Sequence, residues 1–225
     1  MDDKKTLYYE MQKIKKLLLK KEIPEEYPDD ISKIKQNPFT DKYYIDRFDF
    51  INISSFALIS KKWVAPLADY IGTKKCLEIM AGKGVLSKAL HDCGVDIKAT
   101  DNYTWKWHRS EQNKGGQTLN RDELWFDVED IDCIEAITKY GGNTGFIICC
   151  WPPYKSDALY HALLKMRIVN LKCKLIYIGE EKGGCNAESR FFNEAVYVNN
   201  DDRFNLISRL HQSWAVFNDK IFLIK

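Results

Sequence analysis

No stretch of this sequence is apolar for long enough to span a bilayer, and no charged start followed by a short apolar core marks a leader. These absences predict a cytoplasmic protein with no membrane partner. None of the seven cysteines (76, 93, 133, 149, 150, 173 and 185) belongs to a Cys-x-x-Cys pair, and the four histidines (91, 108, 161 and 211) show no ligand spacing. No structural metal is expected, and several of the thiols fall in apolar patterns that predict burial in reduced form. The formal net charge of +2 is too small to argue for nucleic acid or a membrane surface by itself.

What is present is an ordinary globular composition: 225 residues, 45% hydrophobic and 29% charged, enough for one large domain with a core, with or without a short appendage. The most informative stretch runs from Cys76 to Asp101. A short apolar run, 76–80, meets a small-residue turn, Ala81-Gly82-Lys83-Gly84. A helical pattern follows with Val85, Leu86, Ala89, Leu90 and Cys93 on one face. After the break at Cys93-Gly94, a second short strand pattern ends on Asp101. Strand, glycine turn, helix, strand and acid together describe half of a nucleotide-binding unit.

Glycine at 82 and 84 lets the backbone turn sharply and approach a ligand closely, because a Cβ there would collide with it. A carboxylate at the tip of the second strand, Asp101, accepts hydrogen bonds from both hydroxyls of a ribose. Glu78 at the end of the first strand would repel a pyrophosphate but suits a ligand with a cationic centre and an amino-acid moiety. Even so, Gly82-x-Gly84-x-x-Ser87 loosely fits the dinucleotide fingerprint, so a nicotinamide-dependent oxidoreductase remains an alternative.

Glu78-Ile79-Met80-Ala81-Gly82-Lys83-Gly84, followed by Asp101, resembles the first two cofactor motifs of the class I, Rossmann-like methyltransferases that use S-adenosyl-L-methionine. The resemblance implies that Glu78, Ala81, Gly82, Gly84 and Asp101 line the cofactor. It places Asn102 and Tyr103 against the adenine. Asp127, with the neighbouring backbone amide of Val128, would serve the adenine ring, Asp130 being the reserve; acids there also suit helix capping. Met80 stands where the family usually has its first glycine, so its side chain must point away from the cofactor.

The near-continuous apolar run 145–150 reads as a central parallel strand, and Trp151-Pro152-Pro153-Tyr154 as a rigid loop at its carboxyl end. Ligands of open α/β sheets bind outside such ends, which brings in Cys150 as well. The loop is similar to the Asp/Asn-Pro-Pro-Tyr motif of methyltransferases acting on planar amino nitrogens in adenine or glutamine. There the first side chain and a proline carbonyl accept from the amine, and the aromatic ring stacks on the acceptor. Pro152, Pro153 and Tyr154 match. Trp151 does not, because an indole nitrogen donates and cannot accept. Trp105, Trp107 and Arg109 would grip a planar or anionic acceptor, or pack a helix, and 114–117 reads as a mobile loop. Glu180 or Glu181, in a glycine-rich loop after a fifth strand, would orient an acceptor or act as a base, or simply sit in a solvated turn.

Ahead of this unit, Leu7, Met11, Ile14 and Leu18 predict an amphipathic helix within 1–24, its lysines either a solvated face or an arm for an acidic macromolecule such as RNA. Residues 23–52 read as an irregular segment on the surface or over the site entrance. Ser54 or Ser55 would cap a helix through Leu67, kinked or divided at Pro66. The runs 204–210 and 220–224 read as a terminal antiparallel strand pair. The expected architecture is α/β: a three-layer sandwich around a mostly parallel seven-stranded sheet over 55–225, preceded by a helical and irregular extension at 1–54. The expected activity is methyl transfer to a small molecule or an amino or nucleobase nitrogen, requiring no metal. A non-catalytic module of the same fold that binds protein or RNA is the third class kept open.

Overall fold

Hydrophobic periodicity accounts for the order of elements. In the computed structural model, which describes residues 3–104 and 121–225, helix α1 (Asp3–Leu19) buries Leu7, Met11, Ile14 and Leu18 along one stripe. It stops before Pro24: Lys21 turns left-handed at φ 58°, and the Glu22 N–H donates to the Leu17 carbonyl at 3.0 Å. Helix α2 (Arg47–Ile53) starts where the Asp46 carboxylate accepts the Phe48 N–H at 3.0 Å, so the stretch read as irregular carries a capped helix. Helix α3 (Lys61–Ile71) follows Ser60 rather than Ser54 or Ser55, whose hydroxyls donate instead to the Phe50 and Ala57 carbonyls. Pro66 neither divides nor ends it; α3 runs as one helix.

From there strands and helices alternate: β1 (Cys76–Ile79), α4 (Val85–Asp92), β2 (Ile97–Asp101), β3 (Val128–Asp130), α5 (Cys133–Tyr140), β4 (Phe146–Cys150), α6 (Ala158–Val169), β5 (Lys174–Gly179), α7 (Ser189–Glu194), α8 (Asp202–Leu210) and β6 (Lys220–Ile224). The described strands form one six-stranded sheet in the order β3-β2-β1-β4-β5-β6, parallel except for the antiparallel pairing of β6 with β5. Of the seven strands expected from the sequence, the one at 204–210 is missing; Tyr197 adds only an isolated bridge to Ile224. The run 204–210 is helix α8 and not a strand. Asp201 caps it by accepting the Phe204 N–H at 3.0 Å, and Phe204 and Ile207, three apart, point inward.

Both sheet faces are covered, as the apolar strands require. Alternation sends Phe146 and Ile148 of β4 toward α3, α4 and α8, and Ile147 and Cys149 toward α5, α6 and α7. The buried side chains of the extension, among them Leu7, Met11, Leu18 and Phe50, belong to the same core as Trp63 and Leu67 of α3. The expected boundary near residue 54 is therefore not a boundary in the packing. Among the described residues no helix is long and apolar enough to cross a membrane.

Candidate functional site

The chain runs outward from β1 through β2 to β3, then returns to place β4 on the other side of β1. Connections leaving β1 and β4 therefore diverge, and a crevice opens between their carboxyl ends. The turn after β1 lies there. Met80 takes a left-handed backbone at φ 54°, the conformation for which glycine is the usual solution, and its side chain packs against the α5–α6 face of the core. Gly82, at φ 56°, has no atom within 4 Å of where a Cβ would stand, so this backbone faces open space. Gly84 differs: a Cβ there would lie 2.8 Å from Val128 Cγ2 and 2.9 Å from Phe126 Cβ. The closeness demanded at Gly84 is to the chain itself and not to a ligand.

Asp101 ends β2 almost fully buried. Its Oδ2 accepts the Gly82 N–H at 2.8 Å and its Oδ1 accepts the Tyr103 N–H at 2.6 Å, which ties the acid to the open turn. Glu78 lies behind that turn, 1% exposed, and accepts the Ser87 hydroxyl of α4. Burial is the main cause that pushes its carboxyl up to about 8; the Ser87 contacts oppose this and the Asp101 charge adds to it. A carboxyl in that state ionises readily once a cation is brought to it.

The acid expected at the adenine stands at the opposite end of its strand. Asp127 precedes β3 and is fully solvent-facing, 4.0 Å from Lys98; Val128 pairs with Ala99, and its side chain packs at Gly84. Asp127 thus lies before the amino-terminal end of β3, whereas Val128 touches the glycine turn at Gly84. The carboxyl end brings Asp130 level with Asp101, followed by Asp132, which caps α5 by accepting the Ile134 N–H at 2.8 Å and receives the Asn102 side-chain amide at 3.3 Å. Asn102 is thus at the crevice, beside an acid that the sequence reading passed over. The signal was there: Asp132 stands directly before the helical pattern of α5. Tyr103 lays its hydroxyl on the Val128 carbonyl at 3.3 Å.

Across the crevice, Trp151 leaves β4 with a left-handed backbone at φ 55°. Its indole stacks on Phe56 (centroids 5.5 Å apart, 14° between planes), meets Phe217 edge-on at 5.0 Å, and donates from Nε1 to Asp219 Oδ2 at 3.3 Å. That oxygen also lies 2.8 Å from His211 Nε2, inside the protein. Pro152 is buried, and its carbonyl receives the Asn186 amide at 3.3 Å. Tyr154 stands 60% exposed, with the Lys155 ammonium over its ring at 5.1 Å from the centre. Cys150, at the tip of β4, has its thiol pushed well above the ordinary range, by burial first and then by Glu78 and other neighbours.

Glu180 is not a free base. Its Oε2 accepts the Cys185 N–H at 2.7 Å and its Oε1 the Asn218 N–H at 3.1 Å, while its own N–H donates to Asn186 at 2.8 Å. The carboxylate braces the 180–186 loop against the approach to β6. Glu181 is exposed and pairs with Lys220 at 3.2 Å.

Residues 47–56 pack against Trp151, Phe217 and the glycine turn. Phe56 covers Trp151, the Arg47 guanidinium sits 4.3 Å from the Phe217 ring centre, Lys83 of the glycine turn donates to the Asn52 carbonyl, and Trp125 Nε1 donates to Ile53 at 3.0 Å. Phe56, Arg47, Asn186, His211 and Asp219 were missed by the sequence reading because each is brought to the site from a distant part of the chain. On α1, Lys4 and Lys15 pair with Asp41 and Asp49, and just after it Lys21 donates to the carbonyls of Asp122 and Leu124, so part of the lysine content holds the extension in place. Trp105, Trp107, Arg109 and the 114–117 stretch lie outside the described residues. A scan against protein-family models finds no match to this chain, and a search of curated proteins finds none either.

Proposed function

We propose that this chain is an S-adenosyl-L-methionine-dependent methyltransferase of the class I, Rossmann-like type. The observation that carries the reading is the position of Asp101: buried at the tip of β2, bonded to the amide of Gly82 beside an open turn, and across the strand-order reversal from Trp-Pro-Pro-Tyr at the tip of β4. The residues present suit the cofactor. Gly82 offers a backbone free of side-chain obstruction. Glu78 is a buried carboxyl near neutrality, at the end of β1, that a cationic ligand would draw into its ionised form. Gly84, closed by Phe126 and Val128, speaks against the close approach of a pyrophosphate there and hence against a nicotinamide dinucleotide.

In this reading Asp101 accepts from the ribose hydroxyls, Asn102 and the neighbouring acids Asp130 and Asp132 border the base, and Glu78 balances positive charge. The cofactor, when bound, supplies an activated methyl group on a sulfonium, so the chain's task is to hold an acceptor in line and keep water out. Tyr154 offers the ring on which a planar acceptor stacks, and Trp151, locked by Phe56, Phe217 and Asp219, forms a fixed wall beside it. The indole replaces the side-chain acceptor of the amine-methylating motif, so the acceptor's nucleophile is oriented by shape and stacking.

One observation favours a second reading. The corner where that motif receives an amine is filled here by an indole bonded to Asp219, as in a fold kept for binding alone. Calorimetric titration with S-adenosyl-L-methionine and with its demethylated product tests the first reading. Binding of either that Asp101→Ala abolishes supports it, and transfer of tritiated methyl into RNA, protein or metabolite fractions then finds the acceptor. Binding unchanged in Asp101→Ala removes the placement, and no binding to the folded protein leaves the second reading.

A further inference from the structure

Helix α1 buries Leu7, Met11, Ile14 and Leu18, which turns its opposite face to solvent at Lys5, Tyr9, Lys13 and Lys16, with Lys20 in the turn that follows. Lys5 and Lys16 stand about 16 Å apart along the axis. Unlike Lys4, Lys15 and Lys21, these four exposed lysines make no ion pair or side-chain hydrogen bond among the described residues. The acids of α1, Asp3 and Glu10, fall by the helical period on the flank of Ile14 and Leu17. The lysine face therefore carries no counter-charge of its own. Lys13 with Lys16 and Lys16 with Lys20 are like charges at neighbouring helical positions, an arrangement that opposes the helix, so folding does not call for them.

Aromatic rings stand at the amino-terminal end of this face. Tyr9 is 53% exposed, and its ring is held by those of Tyr8 (5.6 Å) and Tyr43 (6.2 Å), with the exposed Lys42 ammonium 5.5 Å from the Tyr43 ring centre. Phe39, 94% exposed, sits in a turn closed by the Asp41 N–H on the Asn37 carbonyl at 3.0 Å, and Lys4 ties that turn to α1 through Asp41 at 2.8 Å. Unpaired lysines suit phosphates, and rings left in water suit bases that are free to stack, which a duplex does not offer. Beyond Lys20 the exposed surface turns acidic at Glu22, Glu25, Glu26, Asp29 and Asp30, which bounds the basic face. A bilayer fits less well, because the apolar stripe of α1 is already spent on the core.

We propose that the outer face of α1, together with Tyr9, Tyr43 and Phe39, is a binding surface for single-stranded nucleic acid. Lys5, Lys13, Lys16 and Lys20 contact successive phosphates, and the exposed rings take the bases. The proposal is independent of methyl transfer and stands whether or not the crevice binds S-adenosyl-L-methionine.

Fluorescence anisotropy of the full chain with a labelled oligothymidylate and an oligouridylate of equal length tests it, the two arms separating DNA from RNA. A duplex of the same length and phosphatidylserine vesicles serve as competitors. Saturable binding of a single strand is expected, with log K falling against log salt at a slope of about −3 for four phosphate contacts. Combining Lys5→Gln, Lys13→Gln, Lys16→Gln and Lys20→Gln should weaken binding about tenfold or more and flatten that slope. Tyr9→Leu should weaken it several-fold and leave the slope unchanged. Removing the same number of charges on the other face of the sheet, with Lys139→Gln, Lys165→Gln, Lys172→Gln and Lys182→Gln, should weaken it far less. Circular dichroism establishes that each variant is folded, as exposed positions lead one to expect. Absence of saturable binding to either strand, a duplex or vesicles competing as well as a single strand, or equal losses in the two lysine variants would each overturn the proposal.

Discussion

The indole N–H of Trp151 donates to Asp219 Oδ2 at 3.3 Å, and the same carboxylate oxygen sits 2.8 Å from His211 Nε2 in the protein interior. One acid near the carboxyl end of the chain thereby fixes the ring plane of the first residue of the Trp-Pro-Pro-Tyr loop. Asp219→Ala would leave both the His211 nitrogen and the indole N–H without an acceptor. A loss of roughly 2–5 kcal/mol is expected in chemical denaturation. Trp151→Phe, which keeps a ring for Phe56 and Phe217 but drops the hydrogen bond, should cost only about 0.5–1.5 kcal/mol. Equal effects of the two substitutions would remove Asp219 from its structural role.

Glu78 makes stability depend on pH. Its folded carboxyl is pushed up to about 8 from an ordinary 4.5. Because the folded state holds the proton more tightly, the favourable contribution is complete below pH 4.5 and is lost as pH rises toward 8, with a slope of up to about 1.4 kcal/mol per pH unit. Glu78→Gln should flatten the profile across that window in urea denaturation series. A slope that survives the substitution would have another source.

The two glycines of the turn are expected to behave differently. Gly82→Ala meets open space and carries only the left-handed backbone penalty of about 1–2 kcal/mol, whereas Gly84→Ala must also displace Val128 and Phe126. Thermal denaturation should show the larger loss for Gly84→Ala, and calorimetry with S-adenosyl-L-methionine the larger proportional loss of binding for Gly82→Ala. The reverse order in stability would contradict the packing described for Gly84.

Removal of residues 1–54 should not yield a folded core. Leu7, Met11, Leu18 and Phe50 are each 2% exposed or less within the common core, and burial of each contributes about 1.5–3 kcal/mol, a sum comparable with the whole stability of a typical domain. A truncated chain with native-like cooperative melting would show that the extension is dispensable.

Local and semi-local features of this protein were legible without coordinates. The stripe Leu7-Met11-Ile14-Leu18, the strands ending at Ile79, Asp101 and Cys150, and the glycine turn all follow from spacing alone, because helix and strand impose their periods on any chain that must bury one face. Ambiguity began where the pattern was short. Phe204-x-x-Ile207 serves a strand or a helix, and the cap at Asp201 with burial against α3 decided for the helix. Asp127 and Asp132 are both acids before a helix, and only the register of β3 against β2 shows which end of the strand each occupies. Tertiary structure alone placed Phe56 on Trp151 and Asp219 beside its indole nitrogen. These residues lie far apart in the chain, and no local periodicity carries information about which distant side chain will fill the space left when the sheet is closed.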